Sequence, residues 1–177
     1  IEEGSDIGGT WYWNRYPGAR CDSESHTYGY TFSEKIYKNW TWKEKYPKQN
    51  TILKYLKYVE KKLDLKKDIL FNNKITSAKY LERKNLWLIK TNKNKVLLCK
   101  YLICAVGSLS SVNIPKIKGL NTYEGKYYHT GRWPKKKVNF KNKVVAQIGT
   151  GSSGIQVAPT IAKKVKKLVI FQRTPNY

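Results

Sequence analysis

The run VVAQI at 144–148, followed at once by Gly149-Thr150-Gly151-Ser152-Ser153-Gly154, constrains this chain more than any other stretch. A short apolar run ending in glycine predicts a buried strand, the GxGxxG spacing a tight turn, and the apolar spacing beyond it a helix over 153–165. KLVIFQ at 167–172 then reads as a second strand, which makes the whole a βαβ unit. Each glycine has a steric reason. Gly149 permits the turn, Gly151 lets backbone approach a pyrophosphate, and Gly154 lets helix and strand pack closely. The helix N-terminus behind them offers unpaired N–H groups and roughly half a positive charge to a phosphate. In a site of this kind, an acid at the end of the second strand would accept from the ribose 2′-OH of NAD. Here that strand runs into FQRTP, with Arg173 and Thr174 and no carboxylate. A guanidinium able to grip a 2′-phosphate bidentately favours NADP.

The charge points elsewhere. With 35 Lys plus Arg against 12 Asp plus Glu the net charge is +23, which invites a nucleic-acid reading. Only five of those 35 are Arg, however, and the lysines spread along the whole chain instead of gathering in one patch. A solvated surface accounts for that distribution, and no specific nucleic-acid partner is expected. The three cysteines, Cys21, Cys99 and Cys104, are odd in number and lack CxxC spacing, which argues against a disulfide scaffold and a zinc knuckle. No apolar run approaches the roughly 18–20 residues of a membrane helix. A cytoplasmic, metal-free globular protein is expected.

The remaining organisation is coarser. Residues 1–10 read as a strand end entering a Gly-rich turn, and the aromatic stretch 11–42 as an ordered loop region. A helix is predicted over 51–63 from Ile52, Leu56, Val59 and Leu63, with Asn50 or Thr51 as cap. Strands are predicted at 74–81, 86–91 and 95–105, separated by ERKN and NKN turns. Glu2 or Glu3, followed by Gly8-Gly9, has the pattern of the far end of a second dinucleotide unit, its acid accepting from an adenosine ribose. A solvated N-terminal glutamate explains the same residues equally well. On the first reading the phosphate-binding glycines precede residue 1, so the chain reads as an internal piece of a longer protein. His26 has no evident partner, the sequon at Asn39 suits no cytosolic role, and Ser152 lacks the GxSxG setting of a hydrolase nucleophile.

GGTWYWNRYPGARCD at 8–22 and YEGKYYHTGRWP at 123–134, together with YLICAVGSLS, IGTGSSGIQ and VIFQRTP, resemble the Baeyer–Villiger monooxygenases. These flavin enzymes include the cyclohexanone monooxygenases, and their fingerprint is FxGxxxHxxxW followed by Pro or Asp. Tyr123, Gly125, His129, Trp133 and Pro134 match it, with Tyr in place of the first Phe. Trp133 and Pro134 favour this branch over the related N- and S-oxygenating flavin enzymes, the alternative within the same chemistry; a basic nucleic-acid-binding module is the alternative outside it.

The resemblance implies an α/β fold with two dinucleotide-binding, Rossmann-like domains, both incomplete here, and a small antiparallel β insertion. Residues 1–108 would form part of an FAD-binding domain. Residues 109–177 would hold the linker with the fingerprint and the start of an NADP-binding domain. It further implies Glu2 as the FAD ribose acid, and Gly8, Gly9, Thr10 and Trp11 along the flavin with Tyr28 nearby. Asp22 would be the catalytic-site acid beside the flavin that orients an arginine lying beyond Tyr177. Gly149, Thr150, Gly151, Ser152, Ser153 and Gly154 would hold the NADP pyrophosphate, and Arg173 and Thr174 its 2′-phosphate. His129 would link cofactor binding to domain motion. The implied reaction uses FAD and NADPH to insert one atom of O2 beside a ketone carbonyl, by way of a flavin C4a-peroxide, giving an ester or lactone. Residues 1–177 alone are expected to be inactive.

Overall fold

Helix α4 (Gln49–Leu63) organises the N-terminal half of the chain. The computed structural model describes residues 1–175, so the last two positions of the span 109–177 lie outside it. The helix starts two residues earlier than the sequence suggests. Lys48 stands at its N-cap and makes no side-chain capping bond, so neither Asn50 nor Thr51 caps it. Its buried face also shifts. Ile52, Tyr55 and Val59 are buried, Leu56 is half-buried, and Leu63 is 40% exposed. Tyr55 replaces Leu63 in the stripe because Trp40 and Trp42 close over its ring, at centroid distances of 5.2 and 4.9 Å. At the far end Asp64 terminates the helix in the left-handed conformation (φ 51°), and Lys61 and Lys62 in the last turn oppose the dipole favourably.

Before α4 the chain forms single helical turns only: α1 (Thr10–Trp13), α2 (Ser25–Tyr28) and α3 (Glu34–Tyr37). This matches the ordered aromatic loop expected there. Residues 1–3 form no strand element; Glu2 instead makes two backbone bonds to the segment after α4, its N–H to Leu70 (3.0 Å) and its carbonyl from Asn73 (3.0 Å).

After α4 comes the antiparallel sheet β1 (Ile75–Leu81), β2 (Leu86–Thr91) and β3 (Val96–Cys99), in that spatial order. Asn85 and Asn94 take positive φ (50° and 58°) in the two connecting turns, as their tolerance of this region allows. Tyr80 faces Trp87 across the β1–β2 ladder, with ring centroids 5.3 Å apart. The third strand ends at Cys99, six residues short of the predicted limit, and 100–106 forms no ladder. Tyr101 and Ile103 there are 84% and 87% exposed.

The βαβ unit forms as read: β4 (Val144–Ile148), α5 (Ser152–Ala162) and β5 (Lys167–Phe171), with β4 and β5 parallel and in register from Val144↔Lys167 to Ile148↔Phe171. Helix α5 ends three residues before the predicted limit. It buries Val157 and Ile161, whereas β4 is not a buried strand: Val144 and Ile148 are 66% and 67% exposed. Runs such as VVAQI suit a parallel strand covered on both faces, and the described residues cover one. Among the described residues no helix is long and apolar enough to cross a membrane.

Candidate functional site

The glycine turn is an open cradle. Gly149 sits at φ 97° and donates its N–H to the Phe171 carbonyl (2.8 Å), which ties the turn to the end of β5. Among the described residues, a Cβ at Gly149 or Gly151 would meet no atom beyond its chain neighbours within 4 Å, so the space above the turn is open to a ligand. Gly154 is different: a Cβ there would lie 2.6 Å from the Gly149 carbonyl oxygen, so only hydrogen fits between helix and turn. Gln147 braces the loop from inside, donating to the carbonyls of Gly149 and Gly154 at 3.0 Å each. Helix α5 has Gly151 as N-cap with no side-chain cap, and its first backbone bond runs from Ile155 to the Gly151 carbonyl (3.0 Å). The N–H groups of Ser152, Ser153 and Gly154 therefore lack intrahelical acceptors and carry the positive end of the dipole. Gln172 donates to Thr150 Oγ1 (2.9 Å), and Arg173 and Thr174 follow, exposed, at the same end of the two-stranded sheet. Backbone donors, hydroxyls and a cation at one sheet end are the donor set for a phosphorylated dinucleotide.

A second cluster gathers at the N-terminal side. Gly8 and Gly9 both adopt positive φ (127° and 48°), and α1 starts directly on them. Gly8 packs so closely that a Cβ would lie 2.6 Å from Leu53 Cδ1, whereas one at Gly9 would meet nothing within 4 Å among the described residues. Trp11 is buried and donates its indole N–H to the Tyr28 hydroxyl, with the rings edge to face at 6.0 Å. Burial pushes the Tyr28 phenol up, against the lowering effect of that bond. Together with Ile7, Gly8, Thr10 and Leu56 these two rings line a cleft of about 550 Å³. Glu2 is half-buried, and its carboxylate accepts from the Gly4 N–H (2.6 Å); Glu3 is exposed and pairs with Lys74 (3.3 Å). Asp22 is exposed and makes no ion pair with Arg20 among the described residues; its neighbour Cys21 is buried, bonded through N–H to the Pro47 carbonyl (2.9 Å).

The fingerprint residues are held locally. His129 is half-buried and caps the turn Thr130–Arg132, its Nδ1 accepting from the Gly131 N–H (3.1 Å). Tyr123 is 60% exposed, and a side chain on Gly125 would overlap its ring. Trp133 stacks between Tyr128 (5.5 Å) and Phe140 (6.1 Å), with Pro134 half-buried beside it. The next residue, Lys135, lies 5.6 Å above the Tyr12 ring, which brings the end of the fingerprint onto α1. Tyr12 also bonds Ser5, whose hydroxyl contributes most to lowering the phenol, with Lys135 adding to it.

The sequence reading passed over one connection. Gln156, on α5, reaches across to the loop before Asp22. Its Oε1 accepts from Tyr16 Oη (3.0 Å) and from the Arg20 N–H (3.1 Å), while its Nε2 donates to the Arg20 carbonyl (3.1 Å). The available signal was a long polar side chain one residue before the buried Val157.

A glycine-turn βαβ unit hydrogen-bonded to a loop beside an aromatic cleft is the architecture of a dinucleotide-binding protein. The chain belongs to the pyridine nucleotide-disulphide oxidoreductase family, whose profile matches residues 21–177. Over its whole length it is similar to cyclohexanone 1,2-monooxygenase of Acinetobacter sp, at 43% identity over 100% of this chain and 32% of that protein. It is likewise 42% identical to a Baeyer–Villiger monooxygenase of Pseudooceanicola batsensis, over 99% of this chain and 32% of that one. The solved structure of OTEMO in complex with FAD and NADP superposes with a TM-score of 0.94 at 43% identity, covering 100% of this chain and 34% of its own. The chain thus spans about a third of the length of the curated relatives it matches.

Proposed function

We propose that the protein to which this chain belongs is an FAD- and NADPH-dependent Baeyer–Villiger monooxygenase. Ketone, O2, NADPH and a proton give ester or lactone, NADP+ and water. What carries the reading is the whole-length similarity to Baeyer–Villiger enzymes in a chain whose glycine turn is open to a phosphate and hydrogen-bonded, through α5, to the loop leading to Asp22. The division into a flavin-side part at 1–108 and a nicotinamide-side part at 109–177 belongs to the same proposal, as does a cytoplasmic location.

The residues fit both cofactors. Gly149, Gly151, Gly154 and the backbone N–H groups of Ser152 and Ser153, with Thr150 beside them, would hold the pyrophosphate of NADP, and Arg173 and Thr174 its 2′-phosphate. Glu2 would accept from the flavin's ribose. Gly8, Gly9 and Thr10 would lie against the flavin, with Trp11 and Tyr28 walling the cleft and keeping water out. Asp22, exposed at the end of the YPGARCD loop, is free to pair with a cation supplied from elsewhere in the protein. When bound, the flavin supplies the two-electron and oxygen chemistry, and the protein contributes orientation.

The test uses the full-length protein. Purified material is expected to be yellow, to oxidise NADPH faster when a cyclic ketone is added, and to place one oxygen atom of labelled O2 in the lactone. A colourless protein indifferent to NADPH would overturn the reading. Oxygenation confined to amines or sulfides would transfer it to the N- or S-oxygenating branch.

A further inference from the structure

We propose that Gln156 is a positioning residue for flavin reduction: it latches the helix bearing the nicotinamide-side phosphate turn to the loop bearing the flavin-side residues, and so sets the spacing between the two cofactors. The proposal rests on the functional reading above. Gln156 lies five residues beyond Gly151, about 7.5 Å along the helix from its N-terminus. Its three hydrogen bonds reach residues 136 and 140 positions away in sequence. Two of them meet both backbone groups of Arg20, so they fix the loop's orientation as well as its distance.

The loop is shaped to receive the helix. Gly18 sits at φ 84°, and a Cβ there would clash with the Gln156 carbonyl oxygen and lie 2.5 Å from Thr160 Oγ1. Only glycine allows this approach, on both conformational and steric grounds. On its other side the loop is fastened to the start of α4. Arg20 bridges Lys48, Cys21 N–H bonds the Pro47 carbonyl, and Gln49 N–H bonds the Ala19 carbonyl (2.9 Å each for the latter two). The Gln49 side chain in turn donates to the Trp11 carbonyl, at the edge of the aromatic cleft. A continuous path of polar contacts therefore runs from the glycine turn through Gln156 to Trp11. Among the described residues α5 buries Val157 and Ile161, and the latch adds directional contacts to that non-directional packing.

The spacing matters because a hydride, one proton with two electrons, passes from the dihydronicotinamide ring to oxidised flavin, leaving NADP+ and reduced flavin. Transfer needs the reacting atoms about 3–3.5 Å apart, and a displacement near 1 Å costs roughly a hundredfold in rate. A lost latch thus lowers the rate of reduction at saturating NADPH more than the affinity for NADPH.

The experiment is anaerobic stopped-flow reduction of the flavin in the full-length holoenzyme across NADPH concentrations. Gln156→Leu is expected to slow the saturating rate by roughly 10–100-fold, with the NADPH Kd changed by less than about threefold and flavin content unchanged. Gly18→Ala, whose methyl group presses on the Gln156 backbone carbonyl and wedges loop from helix while leaving the glutamine side chain in place, is expected to reproduce this. The double variant should be no slower than the slower single one, because both break the same contact. Tyr16→Phe, which removes one of the three bonds, should fall between wild type and Gln156→Leu. A wild-type saturating rate in Gln156→Leu or in Gly18→Ala overturns the proposal, as does a Kd that rises while the saturating rate holds. Should Gln156→Leu not fold, Gly18→Ala and Tyr16→Phe decide the matter by the same criteria. Failure of the underlying reading looks different: the unaltered holoenzyme would then show no flavin, or none that NADPH reduces.

Discussion

Around α4, the rings of Tyr30, Trp40, Trp42 and Tyr58 surround Tyr55 at centroid distances between 4.9 and 6.5 Å, and Tyr55 itself is 1% exposed. Around β4 and β5, one helix contributes two buried side chains, and Val144, Ile148, Ile170 and Phe171 are exposed. The first region is held by aromatic packing around one ring, whereas the second presents an open glycine turn set by backbone sterics and braced by Gln147. Stability and nucleotide binding should therefore respond to different mutations.

The hardest blow to that contrast would be a tolerated Tyr55→Ala. Removing a buried aromatic ring is expected to cost about 3–5 kcal/mol, read as a fall in the urea midpoint of the full-length protein; Tyr55→Phe, which loses only the bond from the Tyr30 N–H (2.6 Å), should cost about 1 kcal/mol. On the other side of the contrast, Gly154→Val forces side-chain atoms onto the Gly149 carbonyl. Overpacking of about 1–3 kcal/mol should weaken NADPH binding roughly 5–150-fold in calorimetry while the melting of the α4 region stays put. Equal loss of both would show that the two regions are not separable.

Smaller effects sharpen the picture. Arg173→Ala is expected to raise the KM for NADPH roughly tenfold and to spare NADH, since only the former carries the 2′-phosphate. An equal response from both coenzymes would remove Arg173 from that pocket. The smallest concerns Asp6, which receives Lys57 (2.8 Å) from α4 and Lys66 (3.0 Å) from the turn after it. Burial alone would raise its carboxyl, but the two ammonium groups outweigh burial and hold it down from 3.8 to about 2. A depressed carboxyl stabilises the fold above its unfolded value, and that contribution is lost as pH falls from about 4 through 2. Solvent screening limits it to about 1 kcal/mol. Asp6→Asn should flatten the corresponding part of the stability–pH curve, and an unchanged slope would separate Asp6 from acid unfolding.

The parts of the fold legible in the sequence are those governed by neighbours along the chain. Gly149, Gly151 and Gly154 announce a strand–turn–helix because sterics at each position admit little else, and Asn85 and Asn94 mark their turns for the same reason. The errors arise where a distant partner intervenes. Tyr55 took a core place that spacing assigned to Leu63, because Trp40 and Trp42 wait for it. Residues 100–105 have strand composition but no neighbouring strand among the described residues.

Taken alone, the amino-acid order determined the βαβ unit, its glycine turn, the absence of an acid in the residues just after β5 and the kinship to flavin monooxygenases, since each depends on local sterics or contiguous motifs. Tertiary structure alone decided which aromatic ring centres the core, how Lys135 comes to lie over Tyr12, and that Gln156 grips Arg20. Those pairings join residues up to 136 positions apart, and only the folded backbone brings them within contact distance.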